Sequence, residues 1–408
     1  MIGRSAVGAV ALLLSAAALA QQGEIGIAPV VLDRASYLFD TAEQHGIKVT
    51  PLVRELRRPF AMAFLPNGDL LVSERGFDLR VFHGATTPHP QLDPQPVAGM
   101  PKPADPFFSV GLQDIALHPD FARNHLIYFT YNEPAPKPEG DTSNQRSARL
   151  KLMRGKLDGG RVSEVETLIE GGVSAALGSR VAFGPGGKVY VTTGGAFGNA
   201  AQDLGSLYGK VLRLNADGSI PEDNPFVGRT GANPAVFSYG HRDQHGLMVH
   251  PVTGALLNAE HGPNGGDEVN LIKPGANYGW PENTFGRQYD GTQISDHPTG
   301  PGIERPLLIW IPSIAPSGLM VYQGDKFPAW KGNLFIGSGR RGEVPFTGGL
   351  ERVVLSDSLG EIRRETLLTD LHQRVRDFAE GPDGFIYVLT DGNENAVLRI
   401  EPSPLASE

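Results

Sequence analysis

Short runs of alternating apolar and polar residues, each entered through a turn of Pro, Gly and Asp, recur along the chain. The clearest copies are FLPNGDLLVSER (Phe64 to Arg75), LHPDFARNHLIYFTY (Leu117 to Tyr131) and FGPGGKVYVTTGG (Phe183 to Gly195). VHPVTGALLNAEHG (Val249 to Gly262), the more diverged FPAWKGNLFIGSG (Phe327 to Gly339) and EGPDGFIYVLTDG (Glu380 to Gly392) complete the set. An apolar strand such as Ala61-Met62-Ala63-Phe64 or Val181-Ala182-Phe183 precedes most turns. Pro presets φ and Gly supplies φ > 0, as a tight reversal between strands requires. Each unit therefore reads as strand, turn, strand, with further strands such as Val353-Val354-Leu355 between units. Copies lie roughly 50 to 80 residues apart, which suits four-stranded blades with loop insertions. The pattern predicts an all-β chain closed into one six-bladed β-propeller. The longest insertions, Glu133 to Ala148 and Pro281 to Glu304, are rich in Pro, Gly and polar residues and read as surface loops that could border an entrance.

The first residues follow another pattern. Arg4 precedes an apolar stretch from Ala6 to Leu19, and Ala18-Leu19-Ala20 has the small-residue spacing of a signal-peptidase site. Residues 1–20 are expected to be a signal peptide and 21–408 a single propeller domain. The apolar stretch falls short of the roughly 20 residues that span a bilayer, and no later segment is long or apolar enough to do so. The chain contains no cysteine, which excludes a disulfide framework, a thiolate metal site and a cysteine nucleophile. A formal net charge of −9 with no basic block argues against a nucleic-acid surface.

Chemistry concentrates after the repeat strands. Tyr239-Gly240-His241-Arg242-Asp243-Gln244-His245-Gly246 is followed by Glu260-His261-Gly262-Pro263-Asn264-Gly265-Gly266-Asp267-Glu268 and Asn277-Tyr278-Gly279-Trp280-Pro281. The carbonyls of Gly262 and Pro263, with the carboxylates of Asp267 and Glu268, are hard oxygen ligands suited to Ca²⁺. The neighbouring histidines suit a transition metal instead, and plain solvated turns are the third possibility. Arg340-Arg341 and Arg374-Val375-Arg376 form a second group, with Arg374 and Arg376 on one strand face by alternation. Paired guanidinium groups match a polyanionic ligand, unless Asp377, Glu380 or Asp383 neutralises them. His118 and His250 precede Pro in repeat turns and read as turn residues, and Ser317 lacks the strand-turn-helix setting of a serine nucleophile.

Together GHRDQHG, EHGPNGGDEVN, NYGWP, IAPSG (Ile314 to Gly318) and RVRD…GPDGFIYVLTD resemble the quinoprotein glucose/sorbosone dehydrogenase family, in particular soluble aldose sugar dehydrogenases. The resemblance spans nearly the whole chain after residue 20. It implies a six-bladed propeller, pyrroloquinoline quinone (PQQ), Ca²⁺, a periplasmic location and oxidation of the C1 hydroxyl of aldoses to lactones. By resemblance, Arg374 and Arg376 bind PQQ, and Arg340 stands where a PQQ-contacting lysine is usual. The resemblance further implies that the segment Ala315-Pro316-Ser317 contacts the quinone, that the Gly262 and Pro263 carbonyls hold Ca²⁺, and that Glu268 and Tyr278 form a further calcium site. Arg242 lies near the reactive carbonyl, where its charge stabilises a developing oxyanion.

The resemblance lapses at the chemistry. Ala176 stands at the position of the family's histidine base, Ser109 at that of a glutamine, and Arg242-Asp243-Gln244-His245 replaces an arginine-asparagine-proline-glutamine run. Alanine cannot accept a proton, so His245, and after it Asp243, is the expected replacement base, with Asp243 beside the cofactor. The chemistry so predicted is a divergent PQQ- and calcium-dependent oxidation of a small sugar that hands its electrons to an unidentified acceptor. The alternatives are a calcium-dependent lactonase-type hydrolase and a non-catalytic ligand-binding propeller.

Overall fold

The repeat turns reverse the chain at the base of each sheet. In the first, Gly68 takes φ 86° and donates its N–H to Leu65 O at 2.9 Å, while Leu65 N–H bonds Asp69 O at 2.8 Å. In the sixth, Gly384 at φ 79° and the pair Gly381–Phe385 repeat the arrangement. A residue with positive φ is what closes so tight a turn, and glycine adopts it without steric cost. The second copy differs, reversing through the short helix Phe121–Asn124 with His125 at φ 58°. His118 and His250 are turn residues, each accepting backbone N–H groups at Nδ1.

The computed structural model describes residues 27–103, 110–137, 139, 146–175, 177–195 and 197–404. The leader expected at residues 1–20 lies outside them. Six antiparallel sheets follow one another in chain order as the blades of a six-bladed β-propeller. Their innermost strands are Pro59–Phe64, Gly111–Leu117, Val181–Phe183, Asp243–Val249, Pro316–Val321 and Val375–Glu380, and each packs beside the next around a central channel. Five sheets have four strands. The sixth has five, because Ile47–Val53 pairs with the late strand Val397–Pro402 and Tyr37–Phe39 adds outside it. Joining early and late strands in one blade closes the ring and leaves no open edge between its ends. No helix among the described residues is long and apolar enough to cross a membrane.

A sheet flanked on both faces must be apolar on both, and the second strands obey this. Leu70–Glu74, Val189–Thr193, Leu334–Ser338 and Ile386–Thr390 are buried throughout. The six large apolar clusters lie between adjacent blades. Leu212, Val191 and Tyr128, for example, join blades two and three, whereas Trp330, Phe335 and Phe378 join blades five and six.

The channel is not apolar. Arg180 of blade three donates Nη1 to Asp114 of blade two at 3.1 Å and pairs with Asp377 of blade six at 3.3 Å. Its Nε donates to His245 O of blade four at 2.7 Å and its Nη2 to Arg376 O at 3.2 Å. The guanidinium carbon lies 4.8 Å from the centre of the Phe60 ring in blade one. One side chain thus ties five blades. Arg180→Met should lower stability by about 3–5 kcal/mol in denaturant melts, because it strands two buried carboxylates. An unchanged melt would show that these carboxylates do not depend on Arg180.

Candidate active site

The inner strand of blade four opens with Asp243, and a bulge between Gln244 and Gly246 leaves His245 as an extra residue in the pairing, with its side chain beside that of Asp243. The next strand, Leu256–His261, sets His261 directly opposite Asp243. His245 Nε2 lies 3.3 Å from Asp243 Oδ2, and the two imidazoles stack with centroids 4.3 Å apart. Gly178 N–H donates to Asp243 Oδ1 at 3.1 Å. The same glycine leaves room for the ring, since a β-carbon there would stand 2.3 Å from His245 Cε1. His261 Nε2 donates to Pro316 O at 2.8 Å. His245 Nδ1 is buried and has no hydrogen-bond partner among the described residues.

The electrostatics keep these groups in defined states. Burial pulls both imidazoles below the ordinary histidine value, with Asp243 opposing. Burial would raise Asp243, but the adjoining imidazoles and Arg242 hold its carboxyl well below the usual carboxylate range. A neutral imidazole beside an ionised carboxylate can accept a proton.

Asp267 fixes the neighbouring loops. Its Oδ1 accepts Gly262 N–H at 2.8 Å and the Ser313 hydroxyl at 2.9 Å. Its Oδ2 accepts Ile314 N–H at 2.6 Å and Ala315 N–H at 2.7 Å. Ala315 is thereby held at φ 52°, Pro316 presents its carbonyl to His261, and Ser317 donates its hydroxyl to Val375 O at 2.7 Å. The segment Ala315-Pro316-Ser317 therefore bridges blade four to blade six.

The arginines divide by environment. Arg376 is buried and meets Asp391 through Nε at 3.1 Å and Nη2 at 2.9 Å. Arg75 reaches the same carboxylate at 2.6 Å. The carboxylates near Arg376 in sequence are thus not its partners, and Asp377 serves Arg180 instead. Arg374 has no hydrogen bond or ion pair to its guanidinium among the described residues. Its Cζ would lie 3.1 Å from a β-carbon on Gly339, in a niche that also holds Ala315. Burial, and then the charge of Arg376, draw Arg374 down to about 9. Arg340 lies apart in character, half exposed and paired with Glu343 at 2.9 Å.

Arg242 donates Nη1 to His261 O at 3.0 Å and to Gly262 O at 2.9 Å, and its guanidinium faces the Trp280 ring at 5.2 Å. One of the two carbonyls expected to hold calcium is therefore engaged by a cation of the protein itself. Behind it, a cavity of about 20 Å³ is bordered by Arg242, Glu260, Gly262, Glu268 and Tyr278. Glu260 and Glu268 are cross-strand partners, bridged by Asn270 Nδ2 at 2.8 and 3.3 Å. Burial, then the charge of Glu260, pushes Glu268 well above the ordinary value. The Tyr278 hydroxyl donates to Leu271 O and accepts Lys273 N–H, so it serves its own loop. Beyond Gly265, the 281–304 insertion walls a cleft of about 680 Å³ that includes Thr284, Phe285, Arg287 and the exposed Ile311.

Asp243, His245 and His261 come together, as do Arg374, Arg376 and Ala315. Ala176 and Ser109 lie outside the described residues. Asp391 and Arg180 escaped the sequence reading, and Glu260 figured there only as part of the polar stretch. Asp267, expected to offer calcium a carboxylate, spends both oxygens on Gly262, Ser313, Ile314 and Ala315 instead. Asp391 and Arg180 become partners only when blades close.

Fold and side chains define a propeller whose channel mouth gathers arginines around Asp391, two stacked imidazoles beside Asp243 and the carboxylates of Glu260 and Glu268. Residues 56–399 match the glucose/sorbosone dehydrogenase family model. Aldose sugar dehydrogenase YliI of Escherichia coli is 35% identical over 366 residues, covering 87% of this chain and 93% of that protein. The apo crystal structure of the soluble aldose sugar dehydrogenase from Escherichia coli superposes with a TM-score of 0.76 at 32% identity, over 88% of this chain and 100% of that one. The PQQ-bound aldose sugar dehydrogenase of Streptomyces coelicolor gives 0.64 at 28% identity, over 87% and 98%. The chain belongs to the glucose/sorbosone dehydrogenase family.

Proposed function

We propose that the protein is a periplasmic, PQQ- and calcium-dependent dehydrogenase that oxidises the C1 hydroxyl of aldose sugars to lactones. The observation that carries this reading is Arg374: a largely enclosed guanidinium, beside a second at Arg376, with no carboxylate of its own among the described residues. Arg75, Arg374 and Arg376 all draw on the single carboxylate of Asp391, and a carboxylate-bearing ligand would offset that excess of positive charge. PQQ carries three carboxylates and fits the requirement. The periplasmic location rests on the leader pattern at residues 1–20.

Arg374 and Arg376 would hold the cofactor's carboxylates, with Ala315-Pro316-Ser317 as the wall beside them. When bound, PQQ supplies the acceptor for the two electrons and hydrogen that leave C1. Asp243 fixes the His245 tautomer with Nε2–H towards its own carboxylate, which leaves the lone pair on Nδ1. The C1 hydroxyl proton passes to His245 Nδ1, an atom with no hydrogen-bond partner among the described residues. Arg242, beside His261 and Trp280, supplies the positive charge that steadies the oxygen as it loses its proton. Arg340, exposed and paired, contributes least.

For calcium, the Glu260–Glu268 pair fits a cation best, since two carboxylates in one small cavity repel unless one is protonated or an ion lies between them. The Gly262 and Pro263 carbonyls would take a calcium ion once Arg242 releases Gly262. Protein supplied with PQQ and Ca²⁺ should reduce an artificial dye when an aldose is added, and fail when either PQQ or aldose is left out. Calcium-dependent lactone hydrolysis without dye reduction would replace this reading with the hydrolase.

A further inference from the structure

Asp243, His245 and His261 each offer one ligand atom, and these atoms all lie within 4.8 Å of one another. The arrangement follows from the sheet, because His261 is the cross-strand partner of Asp243 and the bulge between Gln244 and Gly246 brings His245 in beside them. Two ligands about 2.0–2.1 Å from a tetrahedral ion are roughly 3.3 Å apart. His245 Nε2 and Asp243 Oδ2 already stand at 3.3 Å, long for a charge-assisted hydrogen bond.

The outer shell is in place as well. His261 spends Nε2–H on Pro316 O, which leaves Nδ1 as its ligating nitrogen, and Gly178 N–H steadies the far oxygen of Asp243. Hydrogen bonds of this kind orient metal ligands in proteins. Two imidazoles with one carboxylate are a borderline donor set, matched to zinc, cobalt, nickel or copper and not to the all-oxygen preference of calcium.

We propose that Asp243, His245 and His261 bind one divalent transition-metal ion, at a site separate from the calcium positions, with the His245 ring turning out of its present stack on His261 so that both ring nitrogens aim at the ion. An ion on His245 Nε2 moves that ring's proton to Nδ1. Metal binding and the proton-accepting role proposed above therefore exclude each other, and this consequence alone rests on the dehydrogenase reading.

The test uses the full chain without PQQ, so its outcome is independent of quinone binding. Co²⁺ titration should produce the visible absorption of a low-symmetry, four- or five-coordinate ion, saturating at one equivalent, and Zn²⁺ should abolish it. His261→Gln should weaken Co²⁺ binding by more than the roughly 10–100-fold that loss of an outer-shell partner costs. Asp243→Asn should do the same, and circular dichroism should confirm that both variants are folded. Absence of the band at millimolar Co²⁺, or equal affinity in folded wild type and both variants, would overturn the proposal.

Discussion

Arg374→Ala is expected to weaken PQQ binding by about 30-fold to more than 1,000-fold, the range set by roughly 2–5 kcal/mol for truncating one partner of a desolvated charge pair. The fold should persist, because Arg374 makes no ion pair among the described residues and removing it relieves repulsion from Arg376. Arg374→Lys should fall between the two, since an ammonium keeps the charge without the planar fork. Arg340→Ala should change affinity far less, because that side chain is half exposed and already paired with Glu343. Fluorescence or absorbance titration with PQQ measures all three. Equal losses at Arg340 and Arg374 would mean that burial and missing counter-charge do not mark the cofactor site.

His245→Ala is expected to lower kcat by about 10²–10⁴-fold, the usual loss for a positioned acid–base group, with PQQ affinity close to wild type. That split separates a proton-transfer role from a binding role. Asp243→Asn should lower kcat by a comparable factor: with Oδ1 held by Gly178 N–H, the amide turns an N–H towards His245 Nε2, which places the ring proton on Nδ1, the nitrogen that has to accept one. Unchanged turnover in a folded His245→Ala protein assigns the proton to another group. Steady-state dye reduction with saturating aldose reads both variants.

What was legible in the sequence was local. Pro and Gly with an alternating strand encode a reversal within a dozen residues, so the six repeats disclosed six blades. The Arg374-Val375-Arg376 spacing likewise revealed two arginines, and the GHRDQHG and EHGPNGGDE stretches revealed the triad's members. Their partners were not legible. Asp391, the partner of Arg376, sits in the loop after the following strand, and Asp377, so close to Arg376 in sequence, turns instead to Arg180 of blade three. A bulge between Val375 and Asp377 breaks the simple alternation there. Gly262 was read as a calcium ligand from its neighbours, but only the folded chain brings Arg242 to its carbonyl. Contacts that cross between blades depend on ring closure, which no short window of sequence encodes.

If the guanidinium site at Arg374 and Arg376 takes a quinone that accepts electrons from an aldose, titrating the protein with PQQ in the presence of Ca²⁺ should give saturable binding at one equivalent. Glucose or another aldose added next should reduce the bound cofactor, a change followed in its absorbance. Absence of binding by the folded protein, with Ca²⁺ present, would contradict that assignment of the site.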